Sequence, residues 1–183
     1  MVLLESVNIS PNTIMPSFNL SDPWEKVYSL DDVMGEKGLI IYFTCNHCPY
    51  AIGIWDRSIK LATKFKSQGV NTIAINPNIN PNYPDDSVEA MKTKIEKDSI
   101  PFPYLVDDKQ ETAKVYNAQC TPDIYVLRPD KTLFYHGRFD DNWQNEAAVS
   151  AHDLDKAVTK LVNNNNIDFT QYPSMGCSIK WLE

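Results

Sequence analysis

The sequence predicts an α/β domain built around a parallel strand–helix–strand crossover, and three adjacent segments carry that expectation. Leu39-Ile40-Ile41-Tyr42-Phe43-Thr44 is a short apolar, β-branched stretch with the length of a buried strand. From Pro49 onward the apolar positions Ile52, Ile54, Trp55, Ile59, Leu61, Ala62 and Phe65 recur at roughly helical spacing, and Gly69 supplies a stop. Val70-Asn71-Thr72-Ile73-Ala74-Ile75 is a second buried strand, in the order that a right-handed parallel crossover requires. Between the first strand and the helix stands Cys45-Asn46-His47-Cys48-Pro49, two thiols separated by two residues and able to close a reversible disulfide.

The bulk properties narrow the function classes. With 183 residues and no Pro/Gly/Ser-rich divider, the chain is expected to form a single domain over 1–183, with 164–183 as a C-terminal tail. A formal net charge of −7 argues against nucleic acid and anionic membrane surfaces as partners. No apolar run approaches the ~20 residues that span a bilayer, and Met1 to Glu5 lacks the pattern of a signal peptide, so the expected compartment is the cytoplasm. Four cysteines are too few for a disulfide scaffold. In a reducing compartment a Cys-x-x-Cys pair reads as redox or metal chemistry.

Taken in order, Met15 to Leu20 and Val27 to Leu30, joined through Ser21-Asp22-Pro23, suggest an N-terminal β-hairpin. The crossover of residues 39–75 follows, with its helix expected to run unbroken from Pro49 to the Gly69 stop, and then an Asn/Pro loop from Asn76 to Pro84. Asp86-Ser87-Val88-Glu89 resembles a capping box opening a helix to about Lys97, and Glu111 to Tyr116 suggests a shorter helix. Ile124 to Leu127 and Leu133 to Arg138 flank Arg128-Pro129-Asp130-Lys131, whose composition suits a hairpin turn. Ser150 to Asp153 starts a last helix ending near Asn163; the asparagine run to Asn166 reads as a polar surface linker, and the tail Tyr172 to Trp181 follows.

That order of elements resembles the thioredoxin fold, a central mixed β-sheet flanked by helices, over nearly the whole chain. Met15-Pro16-Ser17-Phe18-Asn19-Leu20, Phe102-Pro103-Tyr104 and Cys120-Thr121-Pro122-Asp123 more closely resemble its redoxin branch. This branch contains the alkyl hydroperoxide reductase/thiol-specific antioxidant proteins and their thiol-disulfide oxidoreductase relatives. Asp140-Asp141-Asn142-Trp143 and Gly176-Cys177-Ser178-Ile179-Lys180-Trp181 are similar to a peroxiredoxin-like subgroup. The resemblance implies that Pro122 is a cis-proline packed beside the cysteine pair, with Thr121 preceding it; the plain alternative is a trans turn proline. An X-Pro bond adopts cis at a cost of only about 0.5–1 kcal/mol.

The resemblance also implies that Cys45, the more exposed cysteine in this fold, is the nucleophile and that Cys48 resolves the mixed disulfide. The strand-to-helix turn favours a thiolate, the form that attacks disulfides and peroxides. His47 can donate a hydrogen bond or carry charge beside that thiolate, which leads to the expectation of a depressed Cys45 pKa; otherwise it is an exposed loop histidine. Pro49 suits the first helical position and puts Cys48 at the N-cap, so Cys48 is the alternative peroxide-reactive thiol. The peroxidase pattern is incomplete, because Cys45 and Ile41 stand where that motif carries its Thr or Ser and its Pro, and no activating arginine is apparent. Two further classes were a zinc site using Cys45, His47 and Cys48 with Cys120 or Cys177, and a binding module without turnover.

Cys120 is expected either near the pair or as a small buried side chain. Cys177 either packs or returns to the active-site face as a resolving cysteine paired with Cys120 or Cys45. Trp143 and Trp181 are candidates to cover that face, His136 reads as a strand-surface residue and His152 as part of the last helix's first turn. The resulting expectation is a Cys45–Cys48 thiol-disulfide oxidoreductase that meets a redox partner protein or a low-molecular-weight thiol transiently and needs no metal or organic cofactor. The alternative is a thiol peroxidase acting on a hydroperoxide.

Overall fold

The computed structural model describes residues 2–182. Its main sheet has seven strands: β2 (Asn19–Ser21), β3 (Val27–Ser29), β4 (Gly38–Phe43), β5 (Val70–Asn76), β6 (Tyr104–Val106), β8 (Asp123–Leu127) and β9 (Leu133–His136), in the order β3-β2-β6-β5-β4-β8-β9. β4, β5 and β6 run parallel, while β8 lies antiparallel to β4 and β9 to β8, so the sheet is mixed. β2 and β3 form the expected N-terminal hairpin, attached antiparallel to β6.

Both faces of this sheet are covered, which is why β4 is apolar throughout rather than alternating with polar residues. Alternate residues of β4 serve two cores. Ile40 and Tyr42 point to a layer shared with α3 (Trp55–Lys66), α4 (Val88–Asp98) and α6 (Asp153–Val162); Leu39, Ile41 and Phe43 point to the other, with α1 (Leu30–Val33) and α5 (Glu111–Val115). β8 repeats the division, with Ile124 and Val126 on the first face and Tyr125 and Leu127 on the second.

A second, three-stranded sheet joins the two ends of the chain. β10 (Met175–Ser178) lies between β1 (Leu3–Glu5) and β7 (Cys120–Thr121), antiparallel to both. The segment expected as a tail therefore contains a paired strand. Ser174 fixes its start by donating to the Gly137 carbonyl at 2.7 Å, and Ile179 closes its end by burying its side chain in the second core.

The expected single helix after Pro49 is broken into α2 (Pro49–Ile52) and α3. Gly53 caps α2, and Ile54, at φ −111°, ψ −4°, stands between the two helices as the N-cap of α3. The cause is long-range: a Cβ at position 53 would sit 2.5 Å from the Trp143 carbonyl oxygen, so the loop after β9 presses against the chain there. Arg57, buried in α3, holds that loop by donating to the carbonyls of Trp143 (2.7 Å), Asn142 (3.0 Å) and Gly53 (2.9 Å) while pairing with buried Asp140.

Two local readings also change. Ser87 alone caps α4, accepting from the Ala90 N–H at 3.3 Å, and Asp86 is turned away into the interior. His136 is not a surface residue: its side chain is buried, its Nε2 lies 2.8 Å from Asp123 Oδ1, and its ring stacks on Tyr125 at 4.1 Å. His152 sits at the N-cap of α6.

The Arg57 clamp generates a stability expectation. Arg57→Ala leaves Asp140 buried without its counter-charge and three carbonyls without their donor, and should cost roughly 3–5 kcal/mol, read as a lowered urea midpoint at unchanged slope. Lysine lacks the planar fork and should restore only part of it.

Candidate active site

Four segments meet at the cysteines. Cys45 follows β4, whose ladder extends one residue through the Thr44 N–H to the Ile75 carbonyl at 2.9 Å. Cys48 is the N-cap of α2, in an extended conformation (φ −75°, ψ 122°), as the residue before a proline prefers. Pro49 occupies the first helical position, where its missing N–H is not needed. β7 contributes Thr121, joined to Pro122 by a cis peptide bond. β10 contributes Cys177, registered directly opposite Thr121.

Their side chains converge. Cys45 Sγ lies 3.2 Å from Thr121 Oγ1, Cys48 Sγ 3.0 Å from the Thr121 carbonyl oxygen, and Cys48 Sγ 2.6 Å from Cys177 Sγ. Cys45, Cys48 and Cys177 form one buried cluster with Ala51, and all are fully covered. Cys45 is therefore not the more exposed thiol that the sequence suggested. Tyr50 packs on the cluster and meets Trp143 in a tilted ring contact at 4.1 Å, so Trp143 does reach this face. Trp181 lies elsewhere, half-exposed beside Lys114 of α5. Cys120 is buried outside the cluster, with its sulfur directed at the Pro122 carbonyl at 3.5 Å.

The electrostatics distinguish the two cysteines of the motif, and the shift at Cys45 is opposite to the depressed pKa expected from the sequence. Hydrogen bonding from the Cys45 thiol, then from Cys177 and from the Ala51 and Cys177 backbone amides, outweighs burial and pulls Cys48 down to about 5. The Thr121 carbonyl can only accept, and by itself favours the protonated form. Burial, its hydrogen bond to Cys48 and the negative charge of Asp86 push Cys45 well above an ordinary thiol, against a smaller opposing effect of Thr121. Burial and the contact with Cys48 push Cys177 up to about 12, and burial also raises Cys120.

His47 is hydrogen-bonded to Asp86 rather than to a cysteine sulfur. Its Nδ1 is bound to Asp86 Oδ2, its ring stacks on Tyr83 at 4.9 Å, and its Nε2 is buried with no hydrogen-bond partner. Asp86 is the group that sequence reasoning missed, because its place in a capping pattern already accounted for it. It is fully buried and accepts from the Asn46 N–H at 2.6 Å and from Asn76 Nδ2 at 3.4 Å, pinning the turn between the two cysteines. Asn46 itself donates to the Asp85 carbonyl at 2.8 Å and accepts from the Tyr104 hydroxyl at 3.0 Å. One ligand atom each from Cys45, His47 and Asp86 lies within 4.8 Å of the others, a set able to hold a metal ion. Zinc-binding partners from Cys120 or Cys177 are not part of that group.

The titration of the reduced protein follows from these shifts. Thiolate absorbance at about 240 nm should rise with a midpoint near 5 as Cys48 ionises, the thiolate being present above that pH and lost below it. Cys48→Ser should abolish the step and Cys45→Ala should keep it, moved upward through loss of the Cys45 donor.

Comparison with known proteins places the fold and the family. The chain is 37% identical to an uncharacterized conserved protein of Geobacillus kaustophilus, covering 100% of this chain and 97% of that one with a TM-score of 0.94. It is 33% identical to a hypothetical protein of Sinorhizobium meliloti, covering 97% and 98% at a TM-score of 0.92. The thioredoxin domain of a Bacteroides vulgatus thiol-disulfide oxidoreductase, 18% identical over 85% of this chain and 100% of that one, superposes with a TM-score of 0.62 and shows the thioredoxin fold. No curated protein matches the sequence. The AhpC/TSA family model matches residues 11–136, from the approach to the N-terminal hairpin through the cysteine turn to the end of β9, and the chain belongs to that family.

Proposed function

We propose that the protein is a thiol-disulfide oxidoreductase whose working thiolate is Cys48 and whose partner thiol is Cys45. The observation that carries this reading is the buried cluster of Cys45 and Cys48 against the cis Thr121–Pro122 segment, with Cys48 at the start of α2 and hydrogen bonding from Cys45 favouring its thiolate. Cys48 attacks a substrate disulfide, forms a mixed disulfide and releases one thiolate; Cys45 then attacks the Cys48 sulfur, releases the second, and leaves a Cys45–Cys48 disulfide with two electrons passed to the substrate. The first step favours the second. While Cys48 is ionised it holds the Cys45 proton, and once Cys48 is bonded to substrate that negative charge is gone. The proton of Cys45 leaves with the departing thiolate.

The electron donor in this reading is another protein's dithiol or a low-molecular-weight thiol, met transiently, and no metal or organic cofactor takes part. We place the reaction in the cytoplasm, where thiols stay reduced and a cysteine cluster serves chemistry rather than scaffolding. No helix among the described residues is long and apolar enough to cross a membrane.

A peroxidase reading draws support from the ionised Cys48 at a helix start followed by Pro49. The arginines weigh against it, since a peroxide-activating cation is wanted beside the thiolate and all three are committed to other partners: Arg57 to Asp140, Arg128 to Asn12 and Arg138 to Asp153.

Reaction of the reduced protein with a disulfide substrate and with hydrogen peroxide separates the two. The oxidoreductase reading expects fast disulfide reduction, slow peroxide consumption, and a loss of disulfide turnover of at least roughly 10³-fold in Cys48→Ser. Fast peroxide consumption sustained by added thiol would replace it with the peroxidase.

A further inference from the structure

The function just proposed uses two of the three clustered sulfurs, and the third is brought to them by a built approach. Position 176 must be glycine for β10 to lie where it does, because a Cβ there would overlap the Thr121 carbonyl oxygen and come within 3.1 Å of the Pro122 nitrogen. The close approach sets Cys177 opposite Thr121 and its sulfur 2.6 Å from Cys48 Sγ, nearer than non-bonded sulfurs rest and a little beyond the covalent S–S length of about 2.05 Å.

The strand is then anchored past the cysteine. Ser178 N–H donates to the Val2 carbonyl at 2.9 Å and Ile179 N–H to the Gln119 carbonyl at 3.1 Å. Lys180 N–H donates to Asn78 Oδ1 at 2.8 Å, and buried Gln110 bridges the Pro77 and Lys180 carbonyls at 2.7 and 2.8 Å while accepting from the Leu182 N–H at 2.8 Å. Elements 60 to 176 residues away in sequence thus fix one sulfur against another.

We propose that Cys177 is a second redox partner of Cys48, so that the protein holds a three-thiol centre in which Cys48 closes a disulfide with either Cys45 or Cys177. The inference rests on the Cys48-centred thiol chemistry proposed above. The connecting step is an internal exchange: the Cys177 sulfur attacks Cys48 Sγ, the Cys48–Cys177 bond forms as the Cys45–Cys48 bond breaks, and Cys45 departs with the electron pair and takes up the proton that Cys177 gives up. No electrons enter or leave. The two disulfides share Cys48, so they exclude one another. The Cys48–Cys177 form returns Cys45 as a thiol and fastens β10 covalently across the site.

Oxidation with glutathione disulfide, acid quenching, alkylation and mass mapping of non-reduced peptides tests this. Wild type should yield a peptide pair linked through Cys48 and Cys177 beside the Cys45–Cys48 peptide. Cys45→Ser should still lose two of its three thiols to an intrachain Cys48–Cys177 bond, and Cys177→Ser should form only Cys45–Cys48. Wild type with Cys177 fully alkylated, together with Cys45→Ser carrying no intrachain disulfide, would overturn the three-thiol centre. If Cys177→Ser also forms none, the failure is that of the Cys45–Cys48 oxidoreductase; if it forms one, only the role of Cys177 is lost.

Discussion

The arrangement of the site depends on one close contact, the approach of the Gly176 backbone to the cis Thr121–Pro122 segment. Without it β10 cannot pair with β7, Cys177 does not reach the motif, and the two amides and thiols that hold the Cys48 charge are reduced to those supplied by α2 and Cys45. The same contact fills the hydrogen-bonding edge of β7. A partner polypeptide therefore cannot pair with that edge of β7 while β10 is in place.

Burial would keep all these thiols protonated, since an isolated charge away from water is costly. The site answers by concentrating its donors on one sulfur and its negative charge on the side of another. Cys48 receives hydrogen bonds from thiols and backbone amides, whereas Cys45 faces Asp86 and stays neutral. Asp86 has a mechanical role as well: it ties the Asn46 amide and the His47 ring to the turn before α4, so the cysteine turn is fixed from both sides.

Much of the fold was legible because the buried central strands and the amphipathic helices have periodicities that sequence displays directly, and the order of elements around Cys45 and Cys48 carried the thioredoxin resemblance. The misreadings share a cause, namely partners far away in the chain. The break at Gly53 comes from a carbonyl 90 residues later, and His136 is buried because Asp123 awaits it across a hairpin. Asp86 looked like part of a helix cap because local pattern cannot reveal that Ser87 alone suffices. The expectation of a depressed Cys45 pKa meets the opposite shift for the same reason. The hydrogen bonds that decide between the cysteines come from β10 as well as from the motif, and nothing local to Cys-x-x-Cys announces that Cys177 returns to Cys48 rather than to Cys45 or Cys120.

The claim on which the account stands is that Cys48 carries the charge of the centre. The most direct measurement is residue-resolved alkylation of the fully reduced protein with a small reagent at about pH 6, with each cysteine's labelling rate read by mass spectrometry. Cys48 should be modified first, ahead of Cys45, Cys120 and Cys177. Labelling of Cys45 before Cys48 would contradict the assignment and return the nucleophile to the first cysteine of the motif.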